Sequence, residues 1–217
     1  MTRKTWFSLC LFFLLNGMSS FAAENEREPY DDRYCTSCHG TDGRGNEAVQ
    51  APRLAGMEPW YLQRQLENFR AGIRGAHPRD IEGIAMRAMA VKLSNRSIAD
   101  IIEWVGSWET GPAEITIVGD ASVGESLYGT CAACHGSNAE GNEAIAAPAL
   151  AGQNDWYLIT QLRNFMAGYR GTHPQDRYGA QMRTMVNGLG DVTGIIDVVS
   201  YINTLSGNQG SSRLIQN

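Results

Sequence analysis

The chain has 217 residues, 18 of them basic and 23 acidic, for a formal net charge of −5, and it carries five cysteines. That length suits one large domain or two of about 100 residues each. The acidic balance, with no run of lysine or arginine, argues against nucleic acid as a partner.

The first segment stands apart. Arg3 and Lys4 precede the apolar stretch WFSLCLFFLL (6–15), and SSFAA (19–23) offers small residues for cleavage near Ala22 or Ala23. This is the plan of a secretory signal peptide over residues 1–23, too short to be the roughly 20-residue apolar run of a spanning helix. Its removal takes Arg3 and Lys4 from the basic residues and nothing from the acidic ones, leaving a net charge of −7. It also removes Cys10. The remaining cysteines all lie in two phrases, CTSCHG (35–40) and CAACHG (131–136).

Those phrases belong to a long internal repeat. Residues 35–93 align without a gap on residues 131–189 at an offset of 96, with 32 identities in 59 pairs. GNEA (45–48) returns at 141–144, WYL (60–62) at 156–158, and FRAGIRGAHPRD (69–80) as FMAGYRGTHPQD (165–176). Two homologous domains follow, at 24–110 and 117–207. Residues 111–116 form the linker and 208–217 a polar C-terminal tail.

In chain order, a short helix is expected before each cysteine motif, at REPYDDRY (27–34) and SVGESLYGT (122–130). The next begins near Pro59 and carries Leu62, Leu66, Phe69 and Ile73 on one face, with Gly75 as its stop. Its partner carries Leu158, Leu162, Phe165 and Tyr169, with Asn154 or Asp155 as the cap and Gly171 as the stop. Last helices carry Ile98, Ile101, Ile102 and Val105, and Ile195, Val198, Val199 and Ile202. The Gly-, Ala- and Pro-rich segments between read as loop, and no alternating strand pattern recurs. Each domain is therefore all-α.

A thioredoxin-like dithiol needs a βαβ setting, which is missing here. A zinc site from two CxxC pairs spaces them about 15–20 residues apart, not a whole repeat. Haem attachment uses every position of the motif. Cysteines at i and i+3 share a helix face and can bond both vinyl groups of one porphyrin. His39 and His135 then supply imidazole nitrogens to the irons. Two covalently bound haem c groups follow, tethered by Cys35 and Cys38 and by Cys131 and Cys134.

The sixth ligand must recur in both copies. The pairs His77/His173, Met86/Met182 and Met89/Met185 do so, and thioether ligation suits a carrier because it raises the potential. Arg74 and Arg170 are candidates for pairing haem propionates, since a guanidinium fork suits carboxylates. Trp60, Tyr61, Trp156 and Tyr157 are candidates for lining a haem cleft.

CxxCHG, a PxLAG segment and a methionine before a final aromatic-containing helix resemble a class I cytochrome c. Two such copies behind a signal peptide resemble the dihaem cytochrome c4 family over nearly the whole mature chain. The resemblance implies Met86 and Met182 as the sixth ligands, and the Pro52 and Pro148 carbonyls as acceptors for the haem-ligating histidines. It also implies a periplasmic electron carrier, not an enzyme, with no catalytic residues and no small-molecule substrate. Its partners would be a quinol-oxidising complex and a haem–copper terminal oxidase, with peripheral membrane association left open. The rivals are the dihaem subunit of a dehydrogenase and a dihaem peroxidase or sulfur-oxidising enzyme. Retention of both the histidine and the methionine in both copies speaks against the last.

Overall fold

The computed structural model describes residues 33–109 and 111–213. The expected signal peptide (1–23) and most of the first expected helix (27–34) lie outside them. Eight α-helices run in chain order among the described residues: α1 (Arg33–His39), α2 (Pro59–Arg70), α3 (Ile81–Ala90), α4 (Asn95–Gly106), α5 (Ala121–His135), α6 (Asp155–Met166), α7 (Arg177–Met185) and α8 (Val192–Arg213). Among the described residues there is no sheet, only the isolated bridges Asn46–Ala51 and Asn142–Ala147. The architecture is two tandem all-α domains, as the repeat implied.

The cysteine motifs lie within helices and not after them. Cys131, Cys134 and His135 form the last turn of α5, and α1 spans the whole RYCTSCH segment. Pro59 opens α2 as expected, because its missing N–H is not needed there. The stops differ from expectation. α2 ends at Arg70 and α6 at Met166, where Gly72 and Gly168 turn left-handed at φ +72°. Gly75 instead permits a close approach: a Cβ there would sit 2.1 Å from the Gly83 carbonyl oxygen.

Helices α3 and α7 lie in segments whose glycine and alanine content predicts loop. They form because Asp80 and Asp176 cap them, accepting from the Gly83 N–H at 3.2 Å and the Gly179 N–H at 2.9 Å. Glycine is required at both positions, since a Cβ would collide with the capping carboxylate. This device places Met86 and Met182 on helices.

The cores follow the expected apolar faces. Ile98, Ile101 and Val105 of α4 pack with Leu54, Leu62 and Leu66. Ile195, Val198, Val199 and Ile202 of α8 pack with Tyr128, Leu158 and Phe165. Gly124 lets α5 cross α8, because a Cβ would lie 2.0 Å from the Asp197 carbonyl oxygen.

The linker is anchored by one buried carboxylate. Asp155, fully buried, accepts from Thr116 N–H and Oγ1, Ile117 N–H, Trp156 N–H and Asn203 Nδ2 at 2.7–3.2 Å. Burial opposes its ionisation, but the hydrogen bonds from Thr116, Ile117 and Trp156 outweigh burial and hold the carboxyl below its ordinary pKa. The matching position in the first copy is Pro59, which has no carboxylate to accept such bonds.

Asp155→Asn is expected to cost about 2–3 kcal/mol, the scale of hydrogen bonds to a charged group. A depressed folded pKa makes this contribution complete above the ordinary carboxylate pKa of about 4 and lost as pH falls through the folded value. Thermal melts of both proteins should therefore differ by a constant margin near neutrality and converge in acid. A margin that widens on acidification would contradict the assignment.

Candidate functional site

Each CxxCH histidine is fixed by the same bond. His39 Nδ1 donates to the Pro52 carbonyl and His135 Nδ1 to the Pro148 carbonyl, both at 2.7 Å. Both rings are buried, at 4% and 5% exposure. Burial lowers their pKa values against the opposing pull of the proline carbonyls, so the neutral, metal-binding imidazole is favoured. With Nδ1 committed, Nε2 is the atom left to bind, and His39 Nε2 is buried without a hydrogen-bond partner.

His135 faces a cavity of ≈ 770 Å³. Cys131, Cys134, Pro148, Met182 and Met185 line it, with Leu158, Phe165, Leu189 and Ile202 as apolar wall. Its volume falls within the roughly 300–1,000 Å³ of small-molecule and cofactor sites. The orphaned Nε2 of His39 in the first domain, and in the second two thiols on one helical turn beside an apolar-walled cavity, fit covalent haems. Among the described residues no group of three or more His, Cys, Asp or Glu gathers as a zinc site would need.

The cytochrome c family profile matches residues 26–109 and again 121–206. The chain belongs to the cytochrome c family. It is 30% identical over 184 residues to cytochrome c4 of Azotobacter vinelandii, covering 77% of this chain and 84% of that one. It is 33% identical over 165 residues to the thiosulfate dehydrogenase electron acceptor of Stutzerimonas stutzeri, covering 70% and 71%. The structure of a cytochrome c4 from Acidithiobacillus ferrooxidans superimposes with a TM-score of 0.63 at 25% identity, covering 78% of this chain and 98% of that one. This is a dihaem cytochrome of the cytochrome c4 type, with two covalently bound haem c groups at Cys35/Cys38 and Cys131/Cys134.

The candidate sixth ligands separate by position. Met86 and Met182 pack against their domain cores, whereas Met89 and Met185 are each 45% exposed. His77 and His173 sit in the turns before α3 and α7, where their Nδ1 atoms accept from the Arg79 and Gln175 N–H groups. His77 also stacks on Tyr169 of the second domain at 4.7 Å.

Sequence reasoning missed what joins the two domains of this cytochrome. Arg74 donates to Gln65 and Gln161 at 2.9 Å and to the Tyr157 hydroxyl at 3.1 Å. Arg170 reciprocates, donating to Gln161, Gln65 and the Tyr61 hydroxyl at 2.8–3.3 Å. Every contact has its counterpart at the repeat offset, so the interface has local twofold character. Neither guanidinium is a solvated surface charge. Arg74 is 7% exposed, and the Nε–H of each is buried without a partner. Burial alone would raise the pKa of Tyr61, but Arg170 and Arg74 outweigh it and pull it down. Tyr61 and Tyr157 line the cavity, as expected. Trp60 instead packs under the Arg64 guanidinium, and Trp156 is buried. The signal available in the sequence was that Tyr61, Gln65 and Arg74 are identical in both copies.

A void of this size left empty would cost an amount comparable with the whole stability of a domain, about 5–15 kcal/mol. Protein carrying Cys131→Ala and Cys134→Ala, and hence no tether for the second haem, is expected to lose the near-ultraviolet dichroism and cooperative melting of domain 2. A native-like melt of both domains in that variant would refute the point.

Proposed function

We propose that this protein is an exported, periplasmic single-electron carrier. His39 and Met86 hold the first iron, and His135 and Met182 hold the second. The haems supply the one-electron ferric–ferrous couple, and the protein supplies ligation, burial and orientation. What carries the reading is the duplication: both copies retain a CxxCH histidine bound to a proline carbonyl and a core-packed methionine. Neither needs a general base or a substrate pocket.

In this reading Arg74 and Arg170 are the counter-charges of the haem propionates. Arg74 is buried and Arg170 half-buried, each with its Nε buried, and cations so placed without carboxylates in ion-pair contact, among the described residues, demand an anion. Their position between the domains would hold both sets of propionates at one hydrogen-bonded interface, where each haem would supply a one-electron couple. Among the described residues no helix is long and apolar enough to cross a membrane, which is consistent with a carrier that meets its partners by diffusion.

Donor and acceptor are redox proteins, with a quinol-oxidising complex upstream and a haem–copper oxidase downstream. The similarity to a thiosulfate dehydrogenase electron acceptor favours a second reading, in which the upstream donor is a dehydrogenase. The chemistry within this chain is the same in both.

The deciding measurement is the far-red sulfur-to-iron charge-transfer band of the oxidised holoprotein, quantified per haem. Two equivalents are expected. Met182→Ala should abolish one equivalent and lower the second haem's potential, whereas His173→Ala should preserve both. Fewer than two equivalents in the parent protein, or retention of both in Met182→Ala, would overturn the ligand assignment.

A further inference from the structure

The peptide group that receives each haem-ligating histidine is gripped on its other side by the opposite domain. The Pro52–Arg53 peptide accepts from His39 Nδ1 through its oxygen, and its N–H donates to Asn154 Oδ1 at 2.7 Å. The Pro148–Ala149 peptide accepts from His135 Nδ1, and its N–H donates to Glu58 Oε1 at 2.7 Å. Glu58 and Asn154 precede α2 and α6 at matching places in the repeat, yet neither side chain caps its own helix. Both reach across the interface instead. Asn154 is 7% exposed, and its Nδ2 donates to the Arg44 carbonyl at 3.3 Å, which fixes the amide with Oδ1 toward Arg53.

The glycines of the repeated GNEA motif make room for this. A Cβ on Gly45 would lie 2.6 Å from Asn154 Oδ1 and 2.7 Å from the Arg53 nitrogen. A Cβ on Gly141 would lie 2.5 Å from the Ala149 nitrogen.

We infer that Glu58 and Asn154 are cross-domain tuning residues, each polarising the peptide that orients the other domain's haem-ligating histidine, with the carboxylate of Glu58 biasing the second haem toward the ferric state. The inference rests on the ligation proposed above. Hydrogen bonds in a chain polarise one another, and amide resonance passes electron density from a gripped N–H to its carbonyl oxygen. A richer carbonyl draws the Nδ1 proton harder and makes Nε2 a stronger donor to iron. Stronger donation stabilises the ferric state and lowers the potential. The second haem's relay ends on a carboxylate and the first haem's on a neutral amide, so the two halves are tuned unequally. Net charge does not give the same answer, because Arg64, whose counterpart is Thr160, brings a cation to the same cavity.

The test uses holoprotein with two haems, its potentials followed haem by haem through their paramagnetically shifted methyl resonances. Two reversible one-electron steps in the parent protein establish the carrier reading independently; their absence would count against that reading and not against the relay. Glu58→Gln is expected to raise the second haem's potential, with an about threefold shift in its ferric-to-ferrous ratio at fixed poise, or ~30 mV. Asn154→Asp should lower the first haem's potential. In each variant the other haem stays put, and the Nδ1–H resonance of His135 or His39 respectively moves with the potential. Glu67→Gln, the same charge change further along α2, should move neither. Equal shifts of both haems, a shift in Glu67→Gln as large as in Glu58→Gln, or unmoved Nδ1–H resonances would overturn the inference.

Discussion

Two peptide groups, Pro52–Arg53 and Pro148–Ala149, organise this molecule. Each holds an imidazole through its oxygen and a residue of the other domain through its nitrogen. The constraint is strict because both groups are short of space. Gly45 and Gly141 must lack a side chain, and both adopt φ near +85°, where glycine is unstrained. Fixing the histidine ring leaves Nε2 as the nitrogen that can bind, and gripping the same peptide from across the interface ties that geometry to domain docking. Ligand orientation and domain packing are one mechanical problem here.

The domain interface is polar where an ordinary interdomain contact would be apolar at its centre. Arg74, Arg170, Gln65, Gln161, Tyr61 and Tyr157 satisfy one another reciprocally, yet two guanidinium nitrogens remain without partners. A protein that buries two cations together without a carboxylate in contact relies on a ligand to balance them. In the proposed reading the haem propionates are that ligand, which would make cofactor loading and domain docking stabilise each other. The clamp also accounts for the identity of these six residues between the copies. A twofold contact presents the same patch from each side and therefore selects the same residue twice.

What was legible in the sequence was whatever is local or duplicated. The CxxCH phrases, the apolar faces of α4 and α8 and the repeat itself specified an all-α, two-domain, two-haem chain. Helices α3 and α7 escaped because their start signal is an aspartate packed against a glycine three residues on, a pattern that by composition reads as a turn. The helix ends were misplaced because Gly75 and Gly171 serve a close backbone approach and not a cap. The cross-domain bonds escaped altogether, since Arg74 to Tyr157 or Ala149 to Glu58 spans more than 80 residues and no periodicity reports on it. Asp155 was legible only as an alternative cap for α6. Its role in holding the linker depends on where residues 116 and 117 come to lie.

The differences between the copies carry as much information as the identities. If the two halves were alike at every position, their haems would share one environment and one potential, and an electron would have no preferred seat. The clamp is identical in both copies and the helix faces stay uncharged, so neither brings a charge difference that would break that symmetry. Among the differences are four near the meeting of the domains or the linker: Glu58 opposite Asn154, Arg64 opposite Thr160, Arg53 opposite Ala149 and Pro59 opposite Asp155. One of these serves chain connectivity, because Asp155 holds the linker residue Thr116 and its neighbour Ile117. The others sit where one domain touches the surroundings of the other's histidine or cavity. A duplicated carrier can therefore differentiate its two sites without altering either haem-binding core, by changing only what each half presents to its twin.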